Sequence, residues 1–331
     1  MPGKIVYREE ALAPAIKDQI THATYDARYQ AFNEKFNCLE GPDTGTKILE
    51  KLIDLDAVPS FTALQRVKAR KLRINIGAMF FGFFRTIGLF RSPNTKKLAA
   101  WRNKHKGERC FLIGNGPSLT VDDLDKIAGE TSFSCNLIYK IFDTTQWRPT
   151  YHCITDGVFT STVSREIVRE ITMPFFTNDK AYNQMKKKPK NTTFVWRYLR
   201  DPYFVHPNML AYYVPASATV MTFMIELAMY MGFSEIYLVG VDCSNGFVGN
   251  SHFIRDYENP EMLRIEETRR RNLVHGKQLS LEELGEYRQQ RSMFAYSQLR
   301  KHAEKHGIKI YNATRGGLLE EFERVCLDDI V

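Results

Sequence analysis

An apolar run, Cys110-Phe111-Leu112-Ile113, leads directly into Gly114-Asn115-Gly116-Pro117-Ser118 and then into a helical pattern. Glycines permit positive φ and let a backbone approach an anion closely. Pro117 and Ser118 suit the first turn of a helix, so the segment predicts free amides and a hydroxyl facing a phosphate. Leu119 stands where a third glycine would complete a dinucleotide fingerprint, and no lysine-serine pair follows, so the common dinucleotide and P-loop readings lose weight. An ordinary tight turn would use the same five residues, and the turn alone does not choose between the two.

Other strand-like runs also end in residues able to meet a ligand. They are Ser134-Cys135-Asn136, Ile154-Thr155-Asp156-Gly157 and Leu238-Val239-Gly240-Val241-Asp242. In open α/β sheets ligands bind outside the carboxyl ends of strands. There Asn136 would read a base or ribose edge, and Asp156 or Asp242 would bind a ribose hydroxyl or a divalent cation. The competing reading makes each of them a helix cap. Pro215-Ala216-Ser217-Ala218-Thr219 precedes an apolar helix and offers Ser217 and Ala218 either to a phosphate or to capping. After Asp242 runs a glycine-rich polar loop containing Cys243, Ser244, Asn245 and His252. The imidazole of His252 titrates near neutrality and is the candidate base for an incoming hydroxyl.

The elements that must position these residues alternate in type. Strands are predicted at 110–113, 131–135, 151–155, 173–177, 193–196, 236–241 and 308–312, and helices at 121–128, 163–170, 218–231 and 281–306. Short apolar strands separated by helices predict a Rossmann-like α/β fold, a mostly parallel sheet with helices on both faces. Residues 106–331 form this nucleotide-binding domain. Residues 1–105 form a helical N-terminal region, in which Tyr25, Tyr29, Phe32 and Phe36 recur at helical spacing and 96–109 is a basic helical approach. Lys186-Lys187-Lys188-Pro189-Lys190 reads as a solvated turn.

The chain has 331 residues, 44% of them hydrophobic and 25% charged, which suffices for a large core. A net charge of +8 favours anionic partners without selecting one. The six cysteines show no C-x-x-C spacing, so neither a zinc site nor a disulfide framework is expected; Cys110, Cys135 and Cys153 read as small hydrophobes. Neither a secretory leader nor a membrane span is expected, and the chain reads as cytoplasmic. Residues 74–90, INIGAMFFGFFRTIGLF, lie between Lys68, Arg70, Lys71 and Arg73 on one side and Arg91, Lys96 and Lys97 on the other. That pattern suits peripheral membrane contact through 68–97 at the inner face, or a buried helix flanked by solvated charge. No nucleic-acid reader motif is present, and an oligomer is compatible with the sequence.

Taken in order, GNGPSL, CNLIY, ITD and SATVMTFMIELAMYMGFSEIYLVGVD resemble the small Rossmann-like CMP-sialic acid-dependent bacterial sialyltransferases. They are equally similar to the related domain of flagellin-modifying motility accessory factors and of archaeal hydroxymethylpterin diphosphokinases. The resemblance covers about 108–325. It implies that Gly114, Asn115, Gly116, Ser118, Asn136, Asp156, Ser217 and Ala218 surround a nucleotide. Two departures stand out. Asp156 replaces an asparagine, and Asp256 occupies the position of the base beyond Ser251-His252-Phe253. Cys243, Ser244 and Asn245 lie where two tyrosines would stabilise the leaving phosphate. His252, helped by Asp256 or Arg255, is the substitute base, and Asp242 joins the catalytic set.

The resemblance implies transfer of a sugar from a nucleotide-activated, CMP-linked donor to a hydroxyl of a surface glycan or lipid-linked acceptor, with no cofactor and no metal. The alternative is a diphosphokinase acting on a pterin-like alcohol, with Mg²⁺ held by Asp156 and Asp242. A non-catalytic nucleotide-binding module is the third reading.

Overall fold

A computed structural model of the chain describes residues 76–77, 79–89, 92–197, 205, 208–209, 219–243, 253 and 281–331, all within the compact unit Phe61–Val331. Eight strands form one sheet among them: β1 (Arg109–Ile113), β2 (Ser132–Cys135), β3 (Tyr151–Cys153), β4 (Phe175–Asn178), β5 (Thr192–Val195), β6 (Glu235–Val239), β7 (Lys309–Asn312) and β8 (Glu323–Arg324). Their order is β5-β4-β3-β2-β1-β6-β7-β8, and every neighbouring pair is parallel. The chain builds outward from β1 to β5, then returns through a helix to lay β6 on the other side of β1. The β1/β6 boundary is therefore a topological switch point.

The connecting helices are α1 (Pro93–Trp101), α2 (Val121–Lys126), α3 (Gly157–Thr162), α4 (Ser164–Glu170), α5 (Asp179–Gln184), α6 (Val220–Met231) and α7 (Leu281–Lys305). Successive strand residues point to opposite faces, and both faces are covered. Phe133, Cys135, Tyr151 and Cys153 pack with Leu98 of α1, most of α6, and Ala295, Tyr296 and Leu299 of α7. Phe111, Ile113, Phe175 and Tyr237 pack on the opposite side with Leu124 of α2 and Ile167 of α4. The apolar runs that predicted strands are apolar because neither face meets water.

All seven predicted strands are present, with β3 ending at Cys153 rather than at 155. The helix predicted over 163–170 is preceded by a second one, α3, and β8 and α5 are additions. The basic approach is helical over Pro93–Trp101 only. Its start is fixed by the Ser92 side chain accepting from the Thr95 amide, with proline in the first turn. Asn94 then covers the edge strand: its Nδ2 donates to Phe194 O (2.7 Å) and its Oδ1 accepts from Phe194 N (2.9 Å). Lys186, Lys187, Lys188 and Lys190 are exposed in a turn, as predicted. The expected N-terminal helices, including Tyr25 to Phe36, lie outside the described residues.

Cys110, Cys135 and Cys153 are buried free thiols, and burial pushes all three up, Cys135 to about 12. They pack as hydrophobes.

Candidate functional site

The turn after β1 is shaped by the chain leaving β6. Gly114 N donates to Val239 O (2.8 Å) and Gly116 N to Gly240 O (2.9 Å). A Cβ on Gly114 would stand 2.3 Å from Gly240 O, and one on Gly116 would stand 1.8 Å from Asp242 Oδ2. Both glycines are thus required by the close passage of a neighbouring turn. Two of the amides expected to cradle a phosphate here therefore already donate within the protein.

Ser118 is committed in the same way. Its Oγ donates to Asp242 Oδ2 at 2.8 Å, and its amide lies 3.4 Å from the same oxygen. The anion at this turn is the protein's own carboxylate. Helix α2 begins after the turn rather than within it. Thr120 caps it, in a box where Thr120 Oγ1 accepts from Asp123 N and Asp123 accepts from Thr120 N. The Asp123 amide, in the first turn of α2, is therefore satisfied locally by Thr120.

Across the sheet, the strand tips are laced to one another. Asn115 is buried, and its Nδ2 donates to Cys135 O (3.1 Å), tying the β1 turn to the end of β2. Asn136 adopts φ 51°, a left-handed conformation tolerated best by glycine and asparagine, and its amide donates to Cys153 O (3.0 Å). Half-buried, its side-chain amide makes no hydrogen bond among the described residues. Asp156 is the N-cap of α3: its Oδ1 accepts from Val158 N (2.6 Å) and Phe159 N (3.4 Å). The capping alternative is therefore realised for Asp156.

Asp242 is held from three sides. Besides Ser118, Leu318 N donates to its carbonyl (2.7 Å), and the α-carbon of Gly317, at φ 75°, comes so close that a Cβ there would lie 2.7 Å from the same carbonyl. Val241 N donates to Thr314 Oγ1 (3.0 Å). The segment after β7, Ala313 to Leu318, thus forms a third wall that sequence reading missed. Its signal was visible as Asn-Ala-Thr-Arg-Gly-Gly after an apolar strand, the same polar strand ending used to single out the others.

Arg315 in that wall donates to both oxygens of Asp123 (2.7 Å for Oδ1) and to Ser118 O (3.1 Å). Burial opposes the charge on Asp123, but the Arg315 fork and the Thr120 hydroxyl and amide outweigh it and hold the carboxyl below its usual range. Arg324 fastens the same segment by donating to the carbonyls of Thr314 (3.2 Å), Gly316 (2.6 Å) and Gly317 (3.2 Å).

Ser217, Ala218, Asn245, His252 and Asp256 lie outside the described residues. Thr219, Cys243 and Phe253, near them in sequence, are described. Phe253 N donates to Asn115 O (3.2 Å), bringing the loop after β6 onto the β1 turn. Gln289 of α7 donates to Cys243 O (3.2 Å). The cap of α6 is Thr219, whose side chain accepts from Thr222 N, rather than Ser217.

The two aspartates offered for Mg²⁺ follow strands that are not neighbours in the sheet. Asp156 follows β3 and Asp242 follows β6, three strand positions apart in the order β3-β2-β1-β6. Strand spacing separates them by roughly 14 Å, beyond what two carboxylates ligating one ion at about 2.1 Å can span. Among the described residues no group of three or more His, Cys, Asp or Glu is placed to hold a metal ion.

Residues 87–246, from before α1 to the loop beyond β6, match the family model described as 6-hydroxymethylpterin diphosphokinase MptE-like. The family resemblance read from the motifs is thereby shown. The solved structure of the MAf glycosyltransferase from Magnetospirillum magneticum AMB-1 is similar to this chain with a TM-score of 0.43 and 12% identity, over 69% of this chain and 35% of that one. The chain therefore spans about a third of that protein. No curated protein matches it in sequence.

Proposed function

We propose that the chain is a transferase that moves a sugar from a CMP-linked donor to a hydroxyl of a glycan or lipid-linked acceptor. The observation that carries this reading is the joining of the β1, β6 and β7 endings around Asp242 at the switch point, where open α/β sheets receive nucleotides. Since the Gly114 and Gly116 amides are committed, side chains hold the donor. The side-chain amide of Asn136 reads the base or ribose edge. Oδ1 of Asp242, which makes no hydrogen bond among the described residues, accepts from a ribose hydroxyl.

In the reaction, His252 takes the acceptor's hydroxyl proton and the oxygen attacks the anomeric carbon. The bond from that carbon to the phosphate oxygen breaks, and CMP departs with the bonding electrons. Helix α6, whose N-terminus is capped at Thr219, turns its positive end toward the leaving phosphate. The residues assigned to these steps need no metal.

The family match favours a second reading, diphosphoryl transfer from ATP to a pterin-like alcohol. The wide separation of Asp156 and Asp242 speaks against its two-aspartate version. Calorimetric titration with CMP, UDP and ATP, each with and without Mg²⁺, separates the readings. Binding of CMP without the metal, followed by CMP release from a CMP-sugar and an acceptor, is the expected result. Binding of ATP alone, and only with Mg²⁺, overturns the proposal.

A further inference from the structure

Residues 76–77 and 79–86 are helical, and the helix is turned inside out. Ile76, Met79, Phe80, Phe83 and Ile87 recur at the spacing of one helical face, and each is 52% to 61% exposed. The opposite side carries Gly82 and Arg85, both buried, and the Arg85 guanidinium sits 3.9 Å from the centre of the Trp196 ring. Thr86 is tied to the same body by the Asn208 amide (3.1 Å). The polar anchor faces the protein while the apolar stripe faces outward, the reverse of an ordinary surface helix.

Charge is segregated onto the same stretch. Between Asp56 and Glu108 there is no acidic residue but twelve lysines and arginines. Of the chain's 46 Lys and Arg and 38 Asp and Glu, that leaves 34 cations against 38 acids elsewhere. The remainder of the chain is therefore net acidic, and the whole +8 resides in this segment. An apolar stripe within a wholly cationic stretch complements a surface that is apolar below and anionic above. A second copy would bring an identical cationic segment against the first and be repelled. A nucleic acid would satisfy the cations but leave five aliphatic and aromatic side chains in water.

We infer that this helix docks the protein on the surface of a bilayer containing anionic lipid, with Phe80 and Phe83 entering the acyl boundary and the flanking cations meeting the headgroups. The inference does not depend on the reaction proposed above. It concerns where the protein sits and not what it transfers.

Full-length protein should float with phosphatidylcholine vesicles containing roughly 30% phosphatidylglycerol and much less with phosphatidylcholine alone, high salt weakening the former. The double variant Phe80→Ser/Phe83→Ser should partition about tenfold or more less strongly. Its unchanged thermal midpoint would show that it folds. The charge variant Lys68→Glu/Lys71→Glu should lose the preference for anionic vesicles while keeping its melting behaviour. Failure of wild type to float overturns the inference, as does flotation of the phenylalanine variant at the wild-type level. It is equally overturned if the stripe proves to be covered in a dimer that the double variant dissociates, or if the segment binds RNA in preference to vesicles.

Discussion

Asp242 Oδ2 accepts a 2.8 Å hydrogen bond from Ser118 Oγ across 124 residues of chain, closing the β1 turn against the β6 turn. A bond to an ionised acceptor in a site this sheltered contributes about 1.5–3 kcal/mol. Ser118→Ala should lower unfolding free energy by about that amount, and Asp242→Asn should lose part of it while keeping the shape. Because the two residues act on one bond, the double variant should be less destabilised than the sum of the singles. Urea unfolding of the four proteins checks this; strictly additive effects would show that the contact contributes nothing.

The two glycines of the turn should respond differently to a methyl group. On Gly114 the added carbon meets a backbone carbonyl, Gly240 O at 2.3 Å, which cannot move without disturbing β6. On Gly116 it meets first the end of a side chain, Asp242 Oδ2 at 1.8 Å, and then Gly240 O at 2.8 Å. Gly114→Ala should therefore cost on the order of 3 kcal/mol or more and reduce soluble yield. Gly116→Ala should fold but lose nucleotide affinity by swinging the Asp242 carboxylate away. Removing that carboxylate, in Asp242→Ala, should recover part of the stability lost by Gly116→Ala. Thermal melts and calorimetry of the set give the answer.

These contacts explain what could be read from the sequence and what could not. Burial on both faces leaves an imprint that needs no partner to be recognised, so β1 to β7 are legible as apolar runs. Gly114 and Gly116 are legible as a place where something comes close. What comes close is Asp242 and Gly240, more than a hundred residues away, and local spacing carries no record of a parallel pairing made through a long crossover. The same limit hid the wall formed by Thr314, Arg315 and Gly317, whose roles appear only when β7 is laid beside β6. Asp156 shows the converse: the local reading, a helix cap, is the one the structure realises.

Since Asp156 is an N-cap, Asp156→Asn is an unusually clean substitution. Asparagine caps a helix as well as aspartate, so stability should change by less than about 0.5 kcal/mol. Any loss of activity then reports the carboxylate's charge. Sugar transfer should survive within a few-fold, measured as CMP released from donor and acceptor. Abolition of a Mg²⁺-dependent ATP reaction by this variant would instead establish the diphosphokinase reading.

His152 makes the fold sensitive to mild acid. It is fully buried in β3, its Nδ1 lies 2.7 Å from Ser134 Oγ and its ring stacks on Phe175. Burial pushes its pKa down to about 3, so it is neutral in the native protein. Unfolded, the same imidazole titrates near 6.5. Below that pH the unfolded chain binds a proton that the native state refuses, and stability falls as pH drops toward the native pKa. Above it, the residue has no effect. The slope attributable to this one group approaches about 1.4 kcal/mol per pH unit. Asp123, whose carboxyl is held low by Arg315, adds acid sensitivity only near and below about pH 4, whereas His302, lowered by burial and by His306 and Lys305, acts in the same window as His152, so it is the difference between wild type and a His152 variant from about pH 6 to pH 4.5 that reports this histidine. Urea midpoints of wild type should fall across that window more steeply than those of His152→Phe, whatever the variant's absolute stability. Parallel slopes would mean that His152 is protonated in the native state and that its burial does not govern its charge.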